Sequence, residues 1–143
     1  MRVIAIDGPA GAGKSTVARQ VSTATGLRYL DTGAMYRCVA LEVQNTATDP
    51  NNAHAVGKIA REVKVVIERD AAKLNGVDVS TEIRSSEING IVSIIAAHTP
   101  VRDAMREQQR LWIRDHQGGV VEGRDIGTVV FPEAILKVFL TAS

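Results

Sequence analysis

A chain of 143 residues that is 45% hydrophobic and 23% charged has the size and balance of one globular domain with a buried core. Its 17 basic and 16 acidic residues leave a net charge of +1, which argues against a nucleic-acid-binding surface, since that needs a basic excess. The single cysteine, Cys38, excludes an internal disulfide and fits a reducing cytoplasm. No apolar run reaches membrane-spanning length, the chain opens on a strand pattern instead of a signal peptide, and His54, His98 and His116 are too scattered for a zinc site.

Val3 to Ile6 is a short apolar run that suits a strand buried on both faces, and Asp7 ends it. The next residues, Gly8-Pro9-Ala10-Gly11-Ala12-Gly13-Lys14-Ser15, fit the pattern G-x-x-x-x-G-K-[ST] at every specified position. A helical pattern follows, with Val17, Ala18, Val21 and Ala24 on one face and Gly26 placed to stop it. A glycine-rich turn between strand and helix is how a protein wraps a polyphosphate in backbone N–H groups. Gly8, Gly11 and Gly13 remove the Cβ atoms that would hold the phosphates away. The amides of Lys14, Ser15 and Thr16 lie at a helix N-terminus, where the dipole favours anions. Lys14 is expected to reach the β- and γ-phosphates and Ser15 to ligate Mg²⁺. The alternative is a glycine turn that merely caps a helix.

Further on, Leu27 to Leu30 reads as a second strand, and Asp31 or Thr32 caps a helix over about 34–44 with Cys38 packed inside. Asp49-Pro50 reads as the cap and first residue of a helix carrying Ala53, Val56, Ile59, Ala60 and Val63. Alternation over Val63 to Arg69 and the Asn75-Gly76 turn signal predict a small antiparallel patch inserted in an α/β chain. Ser85 or Ser86 caps a segment with Ile88, Ile91, Val92 and Ile95 on one face, helical by spacing, although its β-branched residues leave a strand open. Thr99-Pro100 is a second cap-and-first-residue pair, and the helix it starts ends at Gly118-Gly119. Val120-Val121 is a third core strand ending in Glu122-Gly123-Arg124-Asp125, and Leu136 to Leu140 a fourth.

Alternating strands and helices predict a parallel sheet wrapped by helices, with ligands at the carboxyl ends of the strands. Three polar clusters fall at such ends: Asp7 to Thr16, Asp31 to Arg37, and Glu122 to Asp125. Their shared placement argues for one composite site. Single residues have plainer readings. Arg37 and Arg102 could pair with Glu42 and Asp103, Ser93 could bond back to its own helix, and Asp125 could form a loop ion pair. Arg84, Arg106 and Arg110 fall on the solvated side, and Trp112 in the core.

The clusters resemble the bacterial cytidylate kinases of the P-loop nucleoside monophosphate kinase family. The residues that carry the resemblance are Ile6 to Ser15, Tyr29-Leu30-Asp31-Thr32-Gly33-Ala34-Met35-Tyr36-Arg37, Val101-Arg102, and Glu122-Gly123-Arg124-Asp125-Ile126-Gly127-Thr128-Val129-Val130-Phe131-Pro132. The resemblance implies a three-layer α/β P-loop kinase fold over 1–143, with a monophosphate-binding region at about 33–110 that includes the β-rich insertion at 63–84. It implies transfer of the ATP γ-phosphoryl group to CMP or dCMP, with Mg²⁺ accompanying ATP, in a cytoplasmic protein. ATP would be held by Gly8, Pro9, Ala10, Gly11, Ala12, Gly13, Lys14, Ser15 and Thr16. CMP would be held by Thr32, Arg37, Ser93, Arg102, Arg124 and Asp125, with Lys14, Arg37 and Arg124 catalytic and Asp125 accepting from the cytosine amino group. The family continues past the position of Ser143 with an arginine-bearing lid, a helix and an edge strand, so this chain is expected to be truncated. No apolar stripe goes unexplained, which suggests a monomer. Two other expectations stay open: another small-molecule P-loop kinase, acting on a different monophosphate or on shikimate, and a nucleotide-binding fragment with little transferase activity. A GTPase switch fits less well, because no guanine-selecting Asn-Lys-x-Asp run is present.

Overall fold

A computed structural model describes residues 1–9, 11–69 and 71–141. The chain divides into two compact units, one of Met1–Thr32 with Gln108–Ser143, the other of Gly33–Glu107.

The first unit is built on four parallel strands in the order β2-β6-β1-β7: β1 Arg2–Asp7, β2 Tyr29–Asp31, β6 Gly118–Gly123 and β7 Leu136–Phe139. Parallel strands buried on both faces need continuous apolar runs, and β1 and β6 supply them. Ala5, Ile6, Val120 and Val121 are fully buried. Helix α1, Lys14–Thr25, covers the sheet. Ala18 joins Ile4, Ile6 and Val120 in one cluster, with Val17, Val21, Leu27 and Tyr29 packed against it. Gly26 ends α1 in the left-handed conformation, its N–H donating to the Ser22 carbonyl at 2.9 Å, as the sequence suggested. The parallel sheet flanked by helices is the α/β architecture expected from the sequence.

Three local expectations need correction. Gly118 and Gly119 do not stop a helix; they open β6, and the left-handed residue that ends α5, Thr99–His116, is Gln117. They are glycines for want of space, since a Cβ on Gly118 would meet the Arg2 carbonyl and one on Gly119 the Trp112 ring. β2 covers Tyr29–Asp31 instead of beginning at Leu27. After Asp125 comes a π-helical turn, Ile126–Val130, where the sequence reading placed no element.

The second unit holds most of α2 (Thr32–Asn45), then α3 (Ala53–Glu62), a three-stranded antiparallel sheet and α4 (Ser86–Ile95). α2 begins at Thr32, two residues before the expected start, and its Cys38 is buried. α3 is capped by Asn52, whose side chain accepts from the Ala55 N–H at 3.1 Å. Asp49-Pro50 instead forms the preceding turn, with Asp49 Oδ1 accepting from the Asn51 N–H at 2.9 Å. The sheet runs β3 Val65–Glu68, β4 Ala71–Leu74 and β5 Val77–Asp78. Between β4 and β5, Asn75 and Gly76 both have positive φ, the geometry a two-residue hairpin turn demands. α4 is a helix and not a strand, capped by Ser85 Oγ from the Ile88 N–H at 3.2 Å, with Ile88 and Ile95 fully buried. α5 begins at Thr99, so Pro100 is its second residue; the His98 carbonyl accepts from the Val101 and Arg102 N–H groups. No helix among the described residues is long and apolar enough to cross a membrane.

Candidate active site

Parallel pairing puts the carboxyl ends of the strands on one edge. In register, Asp7 faces Gly123, Asp31 faces Glu122, and Asp7 faces Phe139 on its other side. The glycine-rich loop and the Arg124-Asp125 segment therefore leave adjacent strands at the same level, about 4.8 Å apart by strand spacing.

The described residues of the loop have features that suit a polyphosphate cradle. Gly11 and Gly13 adopt φ near +81° and +83°, and Gly13 caps α1 without a side-chain bond. The Val17 N–H is the first to bond back, to the Gly13 carbonyl at 3.2 Å. Helix geometry thus leaves the amides of Lys14, Ser15 and Thr16 without intrahelical acceptors at the positive end of the dipole. Gly8 is a glycine for two reasons: its φ of +150° is strained for other residues, and a Cβ there would run into the Leu140 backbone carbonyl. Pro9 and Ala12 complete the described loop, the Ala12 N–H reaching the Pro9 carbonyl at 3.4 Å; Ala10 lies outside the described residues.

Opposite this loop stands Glu122, the last side chain of β6 before Gly123 and only 6% exposed. Its Oε1 accepts from the Tyr29 hydroxyl at 2.6 Å and from the Ser15 hydroxyl at 3.0 Å. Its carbonyl accepts from the buried Thr32 hydroxyl at 2.8 Å. Lys14 Nζ donates to the Gly123 carbonyl at 3.2 Å, so the one cation of the loop is held at the end of β6. Tyr29 is held neutral. Burial pushes its phenol above the ordinary range, and the Asp31 carboxylate and the bond to Glu122 add to the shift. The Arg19 guanidinium lies 5.6 Å from the centre of the Tyr29 ring.

Beyond Gly123 the chain turns sharply. Asp125 has a left-handed φ of 58°, rare outside glycine but tolerated by aspartate. Both Arg124 and Asp125 are exposed. The buried Asp7 carboxylate bonds both of the first amides of the π turn, Oδ1 to Ile126 N–H at 2.7 Å and Oδ2 to Gly127 N–H at 2.8 Å. Arg110 is exposed, as expected, and also donates to the carbonyls of Val130 and Val129 at 3.3 and 3.4 Å.

Of the residues singled out in the sequence, the described part of the glycine loop, Lys14, Ser15, Thr16, Thr32, Arg124 and Asp125 belong to the first unit. Arg37 on α2, Ser93 on α4 and Arg102 on α5 belong to the second. Arg37 and Arg102 are half-buried, and the Ser93 hydroxyl donates to the Gly90 carbonyl at 2.8 Å. Of their suggested partners, Glu42 accepts from the Asn75 side chain and Asp103 pairs with Arg106. Half-buried Trp112 stacks on His116 with ring centres 4.1 Å apart.

Sequence reasoning placed Asp7 and Glu122 in polar clusters and Arg110 on the solvated side, but gave none of these, nor Tyr29, a task of its own. Glu122 carried a usable signal. A carboxylate closing a fully buried apolar strand costs several kcal/mol unless something bonds it.

The family model for cytidylate kinase matches residues 4–143. The chain belongs to the cytidylate kinase family. It is 48% identical over 141 residues to the cytidylate kinase of Mycobacterium leprae (strain Br4923), covering 99% of this chain and 63% of that protein. It is 47% identical over 141 residues to the cytidylate kinase of Burkholderia thailandensis, covering 99% of this chain and 61% of that one. It is 50% identical over 147 residues to the bifunctional pantoate ligase/cytidylate kinase of Prochlorococcus marinus (strain MIT 9313), covering 99% of this chain and 29% of that protein. The chain thus spans less than two thirds of the length of these relatives.

Proposed function

We propose that the protein carrying this chain transfers the γ-phosphoryl group of ATP to CMP or dCMP, giving ADP and CDP or dCDP, in the cytoplasm. The observation that carries the reading is the pairing in register of Asp7 with Gly123, which sets an amide-lined loop beside a segment bearing an arginine and a carboxylate. Family membership and the names of the relatives support the choice of acceptor.

In this reading Gly8 to Thr16 wrap the donor phosphates, and Lys14 leaves the Gly123 carbonyl to pair with them. Phosphoryl transfer needs no covalent intermediate; positioning and charge neutralisation lower the barrier. Arg37 and Arg124 seat the acceptor phosphate, since guanidinium forks match its oxygens and relieve repulsion between two anions. Asp125 accepts from cytosine N4, and Ser93, Arg102 and Thr32 complete the acceptor residues. Uracil would set an oxygen against that carboxylate, two acceptors with no proton between them. We assign these roles residue by residue from the motif match.

The donor set also fits Mg²⁺. A serine hydroxyl and a carboxylate 3.0 Å apart are hard oxygen ligands, and the described residues hold no cluster of three or more acidic, histidine or cysteine side chains that would bind a metal without phosphates. Ser15 and Glu122 would hold the ion together with phosphate oxygens. When bound, it would offset charge developing between the β- and γ-phosphates.

A coupled ADP-release assay with CMP, UMP and AMP, run on this chain and on one extended to the relatives' length, tests the proposal. The expected result is turnover with CMP well above the other two in the extended chain. Preference for AMP, or nucleotide hydrolysis indifferent to all three, overturns it.

A further inference from the structure

The chain immediately before the glycine loop does more than end a strand. Asp7 is 9% exposed, and each of its carboxylate oxygens accepts a backbone N–H, from Ile126 and Gly127, residues 119 and 120 positions away. Those amides open the π turn that follows Asp125, and helix ends of any kind leave such donors without partners of their own. At the other end of the turn the Arg110 guanidinium takes the carbonyls of Val129 and Val130. A negative group thus sits at the amide end and a positive group at the carbonyl end, each matching the local dipole. Inside the turn the Asp125 carbonyl accepts from Val129 and Val130 at 2.9 and 3.1 Å, so Asp125 is itself part of the clamped structure.

We propose that Asp7 is a positioning residue for acceptor recognition. Its carboxylate fixes the turn that presents Arg124 and Asp125, and ties it to the first residue of the donor-phosphate loop. The inference rests on the function proposed above. Asp7 touches neither donor nor acceptor. Two short amide bonds stabilise its charge and hold both oxygens toward the turn. Bonds of this kind to a charged group are strong because the lost partner leaves a buried N–H unsatisfied. In Asp7→Asn the side chain keeps its size but has one acceptor oxygen, and its NH₂ faces an amide N–H that it cannot satisfy.

The test combines kinetics with an observation that needs no turnover. For Asp7→Asn in the extended chain, KM for CMP should rise about tenfold and the CMP-over-UMP ratio of kcat/KM should fall by a similar factor, as loss of one charged hydrogen bond implies. The Kd of a fluorescent ATP analogue should stay within about twofold of wild type. In ¹⁵N spectra the Ile126 and Gly127 amide protons should move upfield while those of Gly13 and Lys14 stay in place. An unchanged CMP ratio, or an equal loss of ATP and CMP binding, overturns the proposal, the second because the carboxylate would then only brace the loop beside it. If Asp7→Asn does not fold, Arg110→Gln is judged by the same criteria, with a smaller effect in the same direction expected. Wild type run alongside separates the two readings. A wild type without CMP preference sinks the acceptor assignment, and the amide shifts then decide the role of Asp7 alone; a wild type that prefers CMP beside an unchanged Asp7→Asn sinks only the positioning role.

Discussion

The ends of β1 and β6 lie side by side in one sheet and are built by different means. At β1 the recognition surface is main chain: glycines at positive φ open the turn, and the helix supplies amides that no side chain has to provide. At β6 it is side chain: Glu122 is held by Tyr29 and Ser15, and Arg124 and Asp125 stand on a turn clamped by Asp7 and Arg110. A main-chain site accepts any polyphosphate of the right shape, because every residue has an amide. A side-chain site can tell one base from another. In the proposed function donor binding falls to the first and acceptor choice to the second.

The largest effect should come from the cation that reaches from the loop to the end of β6. Lys14→Ala removes the cation held at the Gly123 carbonyl, and kcat/KM for phosphoryl transfer should fall by about 10²- to 10³-fold, measured as ADP release at saturating CMP. Fold stability should change little, since Lys14 is only partly buried. A loss below about tenfold would make the loop sufficient without its charge.

Next comes Gly8→Ala, which attacks the main-chain end alone. The new Cβ meets the Leu140 carbonyl and forces a strained φ, at a cost of about 1–3 kcal/mol read from denaturant unfolding. ATP binding should weaken with it. If ATP affinity holds while CMP selectivity falls, the division of labour is wrong.

The smallest effect is at the side-chain end. Tyr29→Phe loses the bond to Glu122 and should cost about 1–2 kcal/mol near neutral pH. Its pH dependence has a definite sign. The phenol ionises later in the fold than in the unfolded chain, mainly because it is buried, so above about pH 10 the folded state holds the extra proton. Stability from this source is fully present below that pH and is lost as the pH rises beyond it. Unfolding curves of wild type between pH 9 and about 11 should therefore fall more steeply than those of Tyr29→Phe. Parallel curves would mean that Tyr29 ionises as freely in the fold as out of it.

The main-chain end was legible in the sequence because its chemistry is spelled out by residue type. Glycine takes the positive φ of Gly11 and Gly13 at no steric cost, and Lys14-Ser15 follow at a fixed distance. The Asn75-Gly76 hairpin and the Ser85 cap were legible for the same reason, since each is a local device completed within a few residues. Other features depend on partners far along the chain. Gly118-Gly119 looked like a helix stop because a glycine does not say whether it is needed for its backbone freedom or for the room it leaves beside Arg2 and Trp112. Asp49-Pro50 lost the cap position to Asn52, as two good capping residues three apart compete and only packing decides. Asp7 and Ile126 are 119 residues apart, so nothing near either one announces the clamp.

The most direct test of the split between the two ends is the CMP/UMP ratio of kcat/KM for Asp125→Asn against wild type in the extended chain at saturating Mg·ATP. Asparagine tolerates the left-handed φ of 58° at this position, and its NH₂ can donate to the uracil oxygen that a carboxylate repels. We expect the ratio to fall by about tenfold or more, toward UMP, with ATP affinity unchanged. A ratio equal to wild type, or a loss confined to ATP, would contradict the assignment of acceptor choice to the end of β6.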